Sequence, residues 1–151
     1  MITHKGFSGP VILRLSAFGA RHLYDNKYIG ELKINWLCLR ENEVRSRIDL
    51  YKLENGKKIV LKNKPFNQIP KSLWKALLSI ENIPSQLKWC DLTKYQRESL
   101  VKCLTIKSYS ITSRGPFGDE FVTAGGVSRA EINFKTMESK LCKGLFFAGE
   151  V

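Results

Sequence analysis

Two short stretches near the end of the chain hold the residues best suited to bind a ligand. In the first, Thr123 and Ala124 lead into a glycine pair, Gly125 and Gly126, which Val127 follows. Paired glycines allow a backbone with positive φ, and they let a ligand approach without a Cβ in the way. This stretch therefore predicts a close contact between the backbone and a ligand.

The second stretch is the apolar run Gly144–Gly149, which the carboxylate of Glu150 follows. A short apolar run bounded by glycines predicts a buried strand. Open α/β sheets hold ligands outside the carboxyl ends of their strands, and Glu150 would lie at such an end. An ordinary strand end with a solvated Glu150 is the structural alternative.

The rest of the sequence contains no pairing of nucleophile and base, so we predict no catalytic residue. Gly-x-Ser-x-Gly, His-Glu-x-x-His and paired carboxylates at helical spacing are all missing from it. The histidines, His4 and His22, are predicted to bond to backbone groups. The cysteines are far apart and form no Cys-x-x-Cys pair, which predicts reduced, mostly buried thiols and no metal site. They are Cys38, Cys90, Cys103 and Cys142.

The elements that would position the two stretches follow from hydrophobic periodicity. Predicted helices cover Gly9–Tyr24, Glu41–Glu54, the segment from Pro70 to Ile83, and the segment after a capping box at Thr93. Predicted strands cover Glu31–Cys38, Ile106–Ser113, Glu120–Ala124 and Gly144–Gly149, and the second and third form a hairpin. The glycines before the first helix either favour an anion at its N-terminus or only allow a tight turn.

The net charge of +11 over 151 residues is high, whereas the rest of the composition is that of an ordinary globular protein. Such a charge suits nucleic acid, phosphates or an anionic membrane, or a piece that lies against an acidic partner. The densest lysine group, Lys57–Lys64, is too dilute for a basic tail, so we do not expect nucleic acid as a partner. Neither a membrane-spanning apolar run nor a signal peptide pattern is present, which predicts a cytoplasmic protein.

The segment from Ala124 to Val151 resembles a signature of the HI0933-like (BaiN-type) flavoproteins, a family of NAD(P)/FAD-dependent oxidoreductases. The segment Thr3–Pro10 resembles a second signature of that family, and the two occur in its order and at about its spacing. Two positions depart from the pattern, because Ala124 replaces a usual glycine and Phe134 a usual proline. The resemblance covers nearly the whole chain.

Members of that family begin with a strand, a Gly-x-Gly-x-x-Gly turn and a helix, which this sequence lacks, and they continue past its last residue, Val151. The resemblance therefore implies the inserted middle part of a flavoprotein. The implied fold class is α+β: an antiparallel, barrel-like β subdomain at 1–55 and 105–151, with a small helical subdomain inserted at 56–104.

The resemblance implies that the intact protein binds FAD, and that the flavin carries out the redox chemistry. The implied flavin-binding residues are Thr123, Gly125, Gly126, Val127, Gly149 and Glu150. The implied partner is the rest of the flavoprotein chain, and the substrate is a small molecule that the sequence does not identify. We expect this piece alone to bind FAD weakly or not at all and to be inactive. The alternative is a basic, non-enzymatic module that binds nucleic acid.

Overall fold

The computed structural model describes residues 1–4, 6–115 and 125–149. The α-helices in this part of the chain are α1 (Pro10–Asp25), α2 (Glu41–Asn55), α3 (Lys71–Ile80) and α4 (Lys94–Thr105), and short 3-10 helices are present at Trp89–Asp91 and Arg129–Glu131. The strands are β1 (Ile2–Thr3), β2 (Gly6–Phe7), β3 (Gly30–Ile34), β4 (Lys107–Ile111), β5 (Ile132–Asn133) and β6 (Glu138–Ser139). They form the two-stranded sheets β1–β2, β3–β4 and β5–β6. The predicted α+β class is confirmed.

Contacts divide the chain into two compact units. The first, which we call the terminal unit, combines Met1–Gly30 with Thr112–Val151, and the second, the helical unit, is Glu31–Ile111. The subdomain bounds that the sequence predicts, 1–55 with 105–151 and 56–104, stay a prediction. None of the described helices is long and apolar enough to cross a bilayer.

The helical unit contains nearly all of the buried side chains in the described part of the chain. The spacing of apolar residues explains why, since three and four residues separate neighbours on one face of a helix. The α-helices contribute Val44, Ile48, Trp74, Leu77, Leu78, Leu100, Val101, Cys103 and Leu104, and the segments between them contribute Leu37, Val60, Phe66, Ile69, Ile83, Trp89 and Leu92. Full burial of one such aliphatic or aromatic side chain stabilises the fold by roughly 1.5–3 kcal/mol.

The predicted helices of this unit are confirmed, and local hydrogen bonds fix where two of them begin. The capping box at Thr93 is present: Gln96 N–H donates to Thr93 Oγ1 at 3.2 Å, and Thr93 N–H donates to Gln96 Oε1 at 3.1 Å. At the start of α2, Arg40 N–H donates to the Glu43 carboxylate at 2.7 Å. These bonds satisfy backbone donors that a helix leaves unpaired in its first turn.

The strand predicted over Glu31–Cys38 ends earlier, at Ile34. The side chain of Asn35 accepts a hydrogen bond from Leu37 N–H at 3.1 Å, and Cys38 adopts a φ of 55°. A side chain that bonds to the backbone two residues on turns the chain out of a strand.

The sequence predicts a different neighbour for β4 from the one observed. The hairpin prediction paired Ile106–Ser113 with Glu120–Ala124, and this second segment lies outside the described residues. Among the described residues β4 pairs with β3, and the hairpin with Glu120–Ala124 stays a prediction. Since β3 and β4 lie far apart in sequence, only the tertiary fold brings them together.

The predicted terminal strand Gly144–Gly149 is wrong. Within this run, Phe146 forms an isolated bridge with Glu138, and the segment is otherwise irregular. Gly144 and Gly149 have φ angles of 83° and 87°, which turn the backbone out of an extended course. Leu145 and Phe146 are 46% and 61% exposed, so the run does not have the burial that the strand prediction assumed.

The prediction of mostly buried cysteines is also wrong. Cys103 is buried on the inner face of α4, whereas the other three are exposed. Cys38 lies in a loop and Cys90 in the 3-10 helix Trp89–Asp91, and both side chains face the solvent. Cys142 lies in the terminal unit, which has little interior.

Candidate functional site

The backbone of the predicted glycine positions adopts conformations that favour glycine. The φ angles are 143° at Gly125, 113° at Gly126 and 87° at Gly149. A Cβ built on Gly125 or Gly149 would have no described heavy atom within 4 Å. Glycine is therefore required there by backbone conformation, and the space beside the backbone is open to a ligand.

Four of the six predicted flavin-binding residues fall within the described part of the chain. Gly125, Gly126, Val127 and Gly149 all belong to the terminal unit, as does the N-terminal segment whose sequence carries the second signature. Thr123 and Glu150 lie outside the described residues, so their roles stay a prediction.

The N-terminal signature forms a small hairpin that leads into α1. Thr3 pairs with Gly6 across β1 and β2, and Thr3 Oγ1 donates to Gly6 O at 3.0 Å. Gly9 stands at the N-cap of α1 with a φ of 101°. A residue with a Cβ adopts that angle only under strain, so this glycine serves the tight turn that the sequence analysis considered.

The apolar face of α1 is uncovered in this chain. Val11, Leu15 and Phe18 follow one another at intervals of four and three residues, so they lie on one face of the helix. They are 79%, 49% and 83% exposed, and α1 contains no buried residue. Among the described residues of the terminal unit, Gly9 and Ile132 are the buried ones. The described residues of this unit therefore present apolar side chains and enclose almost no core.

The helical unit carries a different surface feature, a depression lined with lysines. It has a volume of about 330 Å³, and its walls are Leu61, Lys62, Lys64, Lys71 and Lys75. The sequence between Glu54 and Glu81 contains six lysines and no acidic residue. The first four of these lysines are the group noted in the sequence analysis, whereas Lys71 and Lys75 were missed. The lack of acidic residues between Glu54 and Glu81 is the sequence signal that would have added Lys71 and Lys75 to this group.

Two buried tryptophans hold the lysine-bearing loop against the core. Trp74 Nε1 donates to the carbonyl oxygen of Val60 at 3.0 Å, and Trp89 Nε1 donates to that of Asn63 at 2.9 Å. Both tryptophans are at most 1% exposed. The backbone that carries Lys62 and Lys64 is therefore fixed relative to α3, which carries Lys71 and Lys75.

In the rest of the helical unit, most lysines and arginines that form an ion pair do so with a carboxylate on a different helix or strand. Glu98 accepts hydrogen bonds from Arg45 and Arg97, and Arg97 also pairs with Asp49 at 2.8 Å. The hydrogen bond from Arg45 is the largest cause that lowers the pKa of Glu98 to about 2; desolvation opposes it, and the hydrogen bond from Arg97 lowers the pKa further. These charges join α2 to α4. By contrast, no described carboxylate forms an ion pair with the four lysines of the depression.

A half-buried polar cluster joins α3, α4 and β4. Glu81 accepts hydrogen bonds from Lys107 Nζ at 2.7 Å and from Ser99 Oγ. Burial by itself would raise the pKa of Glu81, but the bonds from Lys107 and Ser99 outweigh it and lower that pKa. Burial, and then the charge of Glu81, raises the pKa of the nearby Cys103 thiol to about 12. A thiol that stays protonated is a poor nucleophile, so this cluster is structural.

Comparison with known proteins adds the family. A family model described as the HI0933-like protein barrel and H2TH domain matches residues 1–122. The chain is 26% identical over 151 residues to the 3-dehydro-bile acid delta(4,6)-reductase of Clostridium scindens, covering 99% of this chain and 36% of that protein. It is 29% identical over 158 residues to the ribosomal RNA dihydrouridine synthase of Escherichia coli, covering 100% and 35%. For the synthase of the same name from Haemophilus influenzae the identity is 26% over 151 residues, covering 100% and 35%. The chain thus spans about a third of the length of these curated relatives.

Proposed function

From the premise that the chain belongs to the HI0933-like barrel and H2TH domain family, we propose that it is the substrate-side part of an FAD-dependent oxidoreductase. The names of its relatives support redox chemistry, since one is a reductase and dihydrouridine is the reduced form of uridine. Addition of hydrogen to a carbon–carbon double bond is chemistry that flavins and nicotinamides carry out. The protein supplies binding and orientation.

The uncovered face of α1 is the observation that carries this proposal. Val11 and Phe18 are about four-fifths exposed in a unit that encloses almost no core. Burial of each such side chain would contribute roughly 1.5–3 kcal/mol, so a matching surface would bind this face strongly. We propose that the surface that covers α1 belongs to the flavin-binding part of the protein, which is on the same polypeptide or on a second one.

The glycine backbone fits a flavin at the edge of this unit. Gly125 and Gly149 leave open space beside the main chain, so a planar ring could contact the peptide groups directly. In the proposal, Gly125, Gly126 and Val127 contact the isoalloxazine, Thr123 extends that contact, and Gly149 and Glu150 approach the ribityl chain. When bound, the flavin supplies hydride transfer.

RNA is the substrate class that we propose for the intact enzyme. The depression in the helical unit has four lysines and a single leucine in its walls, which suits a polyanion. The sequence analysis did not expect nucleic acid because the lysines are dilute along the chain. The fold places Lys71 and Lys75 beside Lys62 and Lys64, and this clustering of charge supports RNA as the substrate of the enzyme.

Native purification tests the flavin proposal. The chain is tagged in the organism that encodes it, and the purified material is examined for flavin absorption and for the sequences present. We expect a bound flavin and a segment with Gly-x-Gly-x-x-Gly. Colourless material without such a segment would refute the proposal.

A variant pair sharpens this test. Replacing Val11 and Phe18 with serine should lower the amount of flavin per tagged chain, because the apolar contact is lost. The control is Tyr95→Ser in α4, where an 82% exposed aromatic side chain is removed from the helical unit. Equal flavin loss in both variants would contradict docking through α1.

A further inference from the structure

We infer that the phosphate backbone of RNA binds in the lysine-lined depression between α3 and the loop that precedes it. This inference rests on the proposed RNA substrate, and it assigns the contact to Lys62, Lys64, Lys71 and Lys75. Lysine contributes a compact positive charge on a flexible stem, which suits phosphate oxygens and does not read base sequence.

The charge distribution along α3 favours an anionic ligand. Lys71 is the first residue of this helix and Lys75 lies one turn later, while no acidic residue is present in the first turn. Cations at the N-terminus of a helix oppose its dipole, by typically 0.3–1 kcal/mol each. Stability alone would place carboxylates at this end. An anion bound between the lysines would relieve the repulsion.

The N-terminus of α3 also lacks the side-chain cap that α4 has. Pro70 occupies the N-cap position and provides no side-chain hydrogen bond. The N-cap residue therefore supplies no capping oxygen to the first backbone N–H groups of this helix. Phosphate oxygens satisfy such donors well.

The backbone that carries the lysines is held in place before a ligand binds, because the core fixes these segments. The indole bonds from Trp74 and Trp89 anchor the loop at Val60 and Asn63. Lys64 Nζ also donates to the carbonyl oxygens of Phe66 and Asn67, at 3.1 and 3.2 Å. Mutual repulsion of four cations is therefore balanced by the core of the unit, and little ordering is needed on binding.

Binding of a short, fluorescein-labelled single-stranded RNA to the purified chain tests this assignment. Anisotropy is measured across a salt series for the original chain and for a variant that combines Lys71→Gln and Lys75→Gln. Each phosphate contact contributes about 0.7 to the slope of log affinity against log salt for a single strand. We expect the variant to lose about 0.7 per lysine, and to weaken binding equally for RNAs of different sequence.

The matched control combines Lys94→Gln and Lys102→Gln, which remove the same charge from exposed positions of α4. Its salt slope should stay close to that of the original chain. The thermal midpoint of the Lys71/Lys75 variant should equal or exceed that of the original chain, because the substituted cations oppose the helix dipole. Loss of RNA binding without loss of stability excludes unfolding as its cause.

Three results would overturn the inference: no RNA binding at low salt, an equal loss of slope in the control, or equally tight, lysine-dependent binding to phosphatidylserine vesicles. The last result would assign the surface to a membrane. The flavin content of the native material is measured independently. Flavin without RNA binding would refute this inference alone, and RNA binding without flavin would refute the flavin proposal alone.

Discussion

The indole Nε1 of Trp74 donates a 3.0 Å hydrogen bond to the carbonyl oxygen of Val60, and both residues are buried. This single contact joins the middle of α3 to the loop that carries Lys62 and Lys64. It links the packing of the helical unit to the position of its most basic surface. A substitution at Trp74 should therefore alter the position of these lysines.

Trp74→Phe should destabilise the chain. The substitution keeps an aromatic ring but removes the N–H, which leaves the buried carbonyl of Val60 without this donor. An unsatisfied buried acceptor costs about 1–3 kcal/mol. Urea unfolding measures the loss. Tyr95→Phe, at an 82% exposed side chain, is the control and should change stability by less than about 0.5 kcal/mol. Equal stability of both variants would show that the indole bond contributes nothing.

Acid should weaken the packing of α2 against α4 through Glu98. Its pKa falls from an ordinary value of 4.5 to about 2 in the folded chain, chiefly through the hydrogen bond from Arg45. Its stabilisation is therefore complete above pH 4.5 and is lost as the pH falls from there through about 2. Glu98→Gln should lower stability at neutral pH by about 1 kcal/mol and flatten the acid dependence.

Urea midpoints measured as a function of pH test this prediction. Glu54→Gln is the control, since Glu54 is exposed and forms no ion pair with the described residues. Its acid profile should follow that of the original chain. An unchanged acid profile in Glu98→Gln would contradict the role of the Arg45–Glu98 pair.

Alkylation should be much slower at Cys103 than at the other cysteines. Burial, and then the charge of Glu81, raises the pKa of the Cys103 thiol to about 12, so almost no thiolate forms at neutral pH. Cys38, Cys90 and Cys142 are exposed and should react with iodoacetamide first. Mass spectrometry of the chain alkylated in its native state identifies the modified cysteines. Modification of Cys103 at the same rate as the exposed thiols would contradict its burial.

Hydrogen exchange should show that α1 is much less stable than α4 in the isolated chain. Exchange tracks local opening, which is easy where few apolar contacts are lost. α1 contains no buried residue, whereas α4 buries Leu100, Val101, Cys103, Leu104 and Thr105. We expect the α1 amides to exchange far faster than those of α4. Slow exchange throughout α1 would mean that its apolar face is already covered.

Features that depend on neighbours along the chain can be predicted from the amino-acid sequence. The start of α4 follows from Thr93 and Gln96, because a capping box involves residues only three positions apart. The extents of α1 and α2 follow from apolar residues that recur at the helical period. Family membership likewise follows from contiguous motifs.

Features that depend on contacts between distant parts of the chain cannot be predicted in this way and require the three-dimensional fold. The run around Phe146 has a strand-like composition, but burial requires a covering surface that composition does not reveal. The exposure of Val11 and Phe18 likewise depends on which surface packs against α1. Lys62 and Lys71 belong to a loop and a helix that meet through the buried bond of Trp74, so their shared surface exists only in three dimensions. Charge adds over distance in space, and sequence spacing is a poor guide to it.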